Sequence, residues 1–244
     1  LPAAGNSSNF EIISVKTPAQ FVGDVSGYVG LSQFSLTSLG DTSVTAAAST
    51  KISVTEVLGA GALSVNGGTD INITATGATT GTISVGNNTA PTGNVKVSRH
   101  FSDINTTGTI TIHGGRSIEV VQTHSGENIG ADLSAKFGIV NGFGTANTTS
   151  VKIDNSNFTA PLNFAYSNKV TITDIHHDST TTGTIKNVDI RHFRDLDLNV
   201  NALDTINLTN AVGDIKFNNT GTTLTTLDIN LHDSYSSFSE SANM

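Results

Sequence analysis

Apolar and polar residues alternate along this chain in short runs. Between Lys169 and Leu231 the runs are triplets: Val170-Thr171-Ile172, Val188-Asp189-Ile190, Leu196-Asp197-Leu198, Ile206-Asn207-Leu208, Ile215-Lys216-Phe217 and Leu227-Asp228-Ile229. Successive side chains of a strand point to opposite faces. Each triplet therefore puts two apolar groups on one face and one polar group on the other. Ile206 to Ile215 is a step of nine residues, and the other steps are similar apart from a longer gap before Val188. Strands this short at this spacing predict an all-β chain that wraps and stacks on itself as an irregular β-solenoid or β-helix. β-sandwich repeats are the alternative.

The earlier part of the chain reads as longer strands. Phe10 to Val15 is one, and Phe21 to Leu39 holds either a helical turn or two short strands, since Gly23, Gly27 and Gly30 break a longer helix. Val44 to Val57 reads as strands, with Ala46-Ala47-Ala48 as a weak helical competitor. The segment from Gly61 to Ile73 repeats, at an offset of 47, as Gly108 to Val120. Each copy is an alternating strand, a Gly-Gly turn and a second alternating strand. This predicts a hairpin, because glycine reaches the positive φ of a tight turn, or else a solenoid corner. Thr82–Val85, Val95–Ser98 and Val151–Ile153 are further strands, with a turn expected at Asp154-Asn155-Ser156-Asn157. Ala131 to Phe137 reads as a helical turn or another strand. The expected organisation is a flexible arm (1–9), a β-rich region carrying the repeat (10–160), a short-strand solenoid (161–235) with a soft boundary near Pro161, and a fraying tail (236–244).

Composition sharpens this. Only 13% of residues are charged, and Thr and Ser make up about a quarter of the chain. Recurrent Val, Ile, Leu and Phe with so little charge argue against disorder. Cysteine is absent, so disulfides and thiolate metal sites are excluded. The net charge of −8 argues against nucleic acid and anionic membranes and favours cations. No apolar run approaches the roughly 20 residues of a membrane helix. The chain opens at Leu1-Pro2, so a mature protein or excised fragment is expected.

The candidate chemistry is a set of oxygen ligands for Ca2+: Asp154, Asn155, Asn157, Asp174, Asp178, Asp195, Asp197, Asp214, Asp228 and Asp233. Ca2+ takes six to eight oxygens, and stacked turns would bring successive Asp and Asn side chains together. His176-His177-Asp178 is the closest histidine pair, but neighbours on a strand face opposite ways. No nucleophile elbow or HExxH helix is present, so an enzyme is not expected. The only cluster suited to polysaccharide cleavage is Arg191, His192, Arg194, Asp195 and Asp197.

The Gly-Gly repeats and the segment Leu224-Thr225-Thr226-Leu227-Asp228-Ile229-Asn230-Leu231 are similar in style to bacterial surface-layer and large repetitive surface proteins of the calcium-dependent, type I-secreted (RTX-like) group. The glycine-rich nonapeptide of that group is not intact, and Gly67-Gly68-Thr69-Asp70-Ile71 is a partial echo of it. The resemblance implies a secreted, extracellular self-assembly module at the cell surface, associating into a lattice or filament stabilised by calcium. A carbohydrate-binding adhesin or fibre segment that grips cell-surface glycan is the alternative, although the chain has no Trp and only three Tyr. A β-helical polysaccharide-degrading enzyme ranks last.

Overall fold

The computed structural model describes residues 10–57, 61–77, 81–101, 109–124, 140–143, 148–157, 169–174, 183–193, 195–211, 213–219, 224–231 and 237–240. The first strands are β1 (Ile12–Thr17), β2 (Phe21–Asp24), β3 (Gln33–Ser38), β4 (Thr42–Ala46), β5 (Lys51–Val57) and β6 (Leu63–Gly67). β7 (Ile71–Gly77), β8 (Ile83–Val85), β9 (Val95–Phe101), β10 (Ile110–His113), β11 (Ser117–His124), β12 (Val140–Phe143) and β13 (Ser150–Asn157) follow. The last are β14 (Lys169–Thr173), β15 (Asn187–Phe193), β16 (Asp195–Val200), β17 (Thr205–Ala211), β18 (Asp214–Asn219), β19 (Thr226–Leu231) and β20 (Ser237–Glu240). No helix occurs among the described residues.

Odd-numbered strands form one ten-stranded sheet and even-numbered strands a second, each in simple ascending order. Neighbours within each sheet pair in parallel, as in β3 on β5 and β4 on β6. The chain is therefore the expected β-solenoid, each coil giving one strand to each sheet. A sandwich of antiparallel repeats is not what forms. Inward side chains follow the alternation read from sequence: Phe34, Leu36, Ile52, Val54, Ile71, Ile73, Val95 and Val97 stack in columns, each at most 3% exposed. Burying each such side chain contributes about 1.5–3 kcal/mol. Coil length varies greatly while the columns hold. Gln33 lies beside Lys51, a coil of 18 residues, whereas Val151 lies beside Val188, a coil of 37.

The 47-residue repeat has a simple basis. Leu63 lies beside Ile83 and Ile83 beside Ile110, so the two copies occupy equivalent places two coils apart. The hairpin reading of the Gly-Gly turns is corrected. β6 and β7 belong to different sheets, and Gly67 and Gly68, with φ of 74° and 85°, turn the corner between them. Gly114 and Gly115, at 89° and 96°, do the same two coils on.

Other expectations resolve similarly. Phe21 to Leu39 holds two strands, β2 and β3, and Ala47 sits in a tight turn rather than a helix, its carbonyl accepting from Thr50 N at 3.0 Å. Asp154 to Asn157 is not a turn but the continuation of β13. The tail contributes β20, which pairs with β18 through Asp214–Ser237 to Phe217–Glu240. The arm 1–9, Ala131–Phe137 and Pro161 lie outside the described residues. Pairing of β13 with β15 carries the first sheet from one side of that proposed boundary to the other.

Candidate functional site

The expected calcium ligands are distributed rather than gathered. Among the described residues no three His, Asp or Glu side chains converge on a place that could hold a metal ion. Asp154 is on the outer face of β13, beside Arg191 on β15. Asn155 points inward and is 1% exposed. Because the segment is extended, it does not curl into a calcium loop. Asp174 is fully buried just after β14, and its Oδ2 accepts from Thr184 N at 2.8 Å and Ile185 N at 2.9 Å. It pins the returning chain at a corner. Asp195 and Asp214 begin β16 and β18, where Asp195 Oδ1 accepts from Asp214 N at 3.0 Å and Asp195 sits beside Lys169. Asp197 lies beside Lys216 and accepts from Asn199 Nδ2 at 3.1 Å. Asp228 is exposed on β19 beside Asn207. Asp178, Asp233 and the His176-His177 pair lie outside the described residues, as does the side chain of Asn157.

Stacking thus sets several carboxylates against lysine or arginine. Glu119 stands between Lys96 at 3.0 Å and Lys152 at 3.8 Å on the coils either side, while within β15 Arg191 reaches Asp189 at 3.3 Å. Exposed pairs of this kind contribute under about 1 kcal/mol each.

The cluster Arg191, His192, Asp195 and Asp197 does not share a face. Arg191 is on β15 of the first sheet and both aspartates are on β16 of the second. His192 turns near the corner with φ 54°. Arg194 lies outside the described residues.

A polar column inside the first sheet is the feature the sequence reading missed. Ser38, Glu56, Ala75, Arg99, Gln122 and Asn155 occupy successive inward positions near the strand ends. All are at most 2% exposed. Ser38 Oγ lies 2.6 Å from Thr42 Oγ1. Arg99 Nη2 donates to Gly81 O at 2.9 Å, Gln122 Nε2 donates to Asn155 Oδ1 at 3.2 Å, and Asn155 Nδ2 donates to His192 O at 3.1 Å. Ala75 separates Glu56 from Arg99 and is small enough to leave room between them. Burial pushes the Glu56 carboxyl up to about 7, opposed by the Arg99 charge and reinforced by Asp41. Burial likewise pulls the Arg99 guanidinium down to about 10, opposed by Glu56. Arg99 is charged at neutral pH. Every member but Ala75 follows the same pattern, apolar-x-apolar-x-polar, as in Ile52-Ser53-Val54-Thr55-Glu56 and Val95-Lys96-Val97-Ser98-Arg99. That recurrence was the available signal.

The outer face of the first sheet carries a shallow cleft of about 360 Å³, lined chiefly by Gln33, Lys51, Ser53, Asp70, Asn72 and Lys96. Lys51 Nζ lies 3.9 Å from Asp70 Oδ2. No aromatic side chain lines it. No family model matches the chain, and no curated protein is significantly similar to it.

Proposed function

We infer that the chain is a structural self-assembly module of an extracellular coat of the bacterial surface-layer kind, whose task is to present a rigid, extendable β-spine. One observation carries the reading. Both sheets are parallel throughout, each coil laying its two strands on those of the coil before it, among the described residues. A parallel stack of this kind is a repeat that further strands can continue. The outer faces are ladders of Ser, Thr, Asn and stacked charge pairs.

In this reading calcium acts between copies rather than inside the coil, because within the coil lysine and arginine already face several of the carboxylates. Electron microscopy and light scattering of the purified chain test both parts. Ordered sheets or filaments are expected, and they should shrink or dissolve in excess chelator and return with Ca2+. A chain that stays monomeric at every concentration, with or without the ion, overturns the assembly reading. Assemblies indifferent to chelator overturn only the calcium part.

The cleft on the first sheet favours a second reading, a carbohydrate-binding module, since amide and ammonium donors converge there. Glycan binding lost on Asn72→Ala and insensitive to chelator would move the assignment to it.

A further inference from the structure

We propose that the coil encloses a binding site for a single water molecule beside Ala75, where the water bridges the Glu56 carboxyl group to the Arg99 guanidinium. The inference stands apart from the self-assembly reading and does not depend on it.

Register creates the site. Glu56, Ala75 and Arg99 are neighbouring inward positions on β5, β7 and β9. Parallel strands lie about 4.8 Å apart, so the backbones of Glu56 and Arg99 are roughly 10 Å apart. Glutamate and arginine send long side chains into the coil, whereas Ala75 between them sends one methyl group. Arg99 reaches back to the coil of Ala75: its Nη2 donates at 2.9 Å to the carbonyl of Gly81, which lies between β7 and β8. All three side chains are at most 2% exposed.

Chemistry then selects the ligand. Among the described residues no donor, Arg99 included, reaches Glu56 Oε1 within hydrogen-bond distance. Native interiors rarely leave a buried oxygen in that condition, and an ordered water satisfies it where no side chain does. A guanidinium presents a fork of five donors and no acceptor, and here its Nη2 is anchored at Gly81. A water spans the remaining gap, accepting from Arg99 and donating to Oε1. Because water both donates and accepts, it serves the carboxyl group in either protonation state. Ions do not suit the place, since a cation would lie against Arg99 and an anion against Glu56. The surroundings are polar on both sides. Ser38, beside Glu56, shares a 2.6 Å hydrogen bond with Thr42, and beyond Arg99 stands Gln122, whose Oε1 likewise meets no donor among the described residues. The water thus ties β5 to β9 across a coil that gives the row no polar side chain.

A crystal structure of the full chain, at a resolution that shows ordered solvent, tests this directly. One ordered oxygen within hydrogen-bond distance of both Glu56 Oε1 and an Arg99 nitrogen is expected. A direct Glu56–Arg99 contact, or no density between the two groups, overturns the site. Melting temperatures of two variants give a second readout. Ala75→Ser places a hydroxyl close to the water and should leave the melting temperature unchanged or higher. Ala75→Val places methyl groups there and should lower it by about 2–4 °C or more. In a dry gap the order reverses, because valine fills space while serine buries an unpaired hydroxyl. That reversal, or equal losses in both variants, rules the water out. Repeating Ala75→Val in a Glu56→Met background separates displaced water from crowding: the loss should disappear there, and a loss that persists overturns the proposal.

Discussion

At the residue scale the buried Glu56 is the most informative group. Its pKa in the folded chain, about 7, lies above its ordinary value of 4.5, because burial penalises the charged form more than Arg99 stabilises it. The folded state holds this proton more tightly than the unfolded chain does. The resulting stability is fully present below pH 4.5 and is lost as pH rises through about 7. Glu56→Gln is therefore expected to flatten the fall in melting temperature between pH 4.5 and 7.5. An unchanged slope would assign that fall to other groups. The Arg99 guanidinium stays charged across this range, so Glu56 is the member of the pair that titrates.

At the element scale the corners decide the fold. Gly67 has φ 74° and a Cβ there would run into the carbonyl oxygen of Ala46 in the coil beside it. Gly30 has φ 86° but open space around the same position. Gly30→Ala meets only the backbone penalty, about 1 kcal/mol, whereas Gly67→Ala should cost about 3 kcal/mol or more. Thermal melts of the two variants, compared in one buffer, check the difference. Equal losses would mean that the corner relaxes. The same elements show what could be read in advance. Alternation in Phe34 to Ser38, Ile52 to Glu56 and the triplets from Val170 onwards carries the solenoid, because period-two burial is local. The corners were ambiguous, since Gly-Gly serves a hairpin and a bend equally and only the partner of the next strand tells them apart. Asp154 to Asn157 was misplaced for a related reason. Asp and Asn favour turns when nothing competes, but the neighbouring strands extend β13 and draw Asn155 inside. The polar column was legible in pattern, yet its meaning required the register that sets Glu56, Ala75 and Arg99 on successive coils. The carboxylates were all visible. That Lys216 would stand beside Asp197, or Lys169 beside Asp195, depended on coil lengths that no local pattern contains.

At the scale of the whole molecule, each coil touches chiefly the coils before and after it. Stability then resembles a sum of coil and neighbour terms, and opening starts at the ends. Amide hydrogen exchange of the monomer is expected to be slowest in the central strands β9 and β11 and to quicken towards β1 and β19. Uniform protection in the monomer would show instead that the coils open as one unit.

The variation in coil length, from 18 residues at Gln33–Lys51 to 37 at Val151–Val188, has a consequence for what the fold tolerates. Register is set by the inward pairs alone, so residues gained or lost between strands leave the ladder untouched. The alternating triplets carry the stacking, and the segments between them carry what the coil displays. Such a spine can diversify what it displays to its surroundings without altering how it stands.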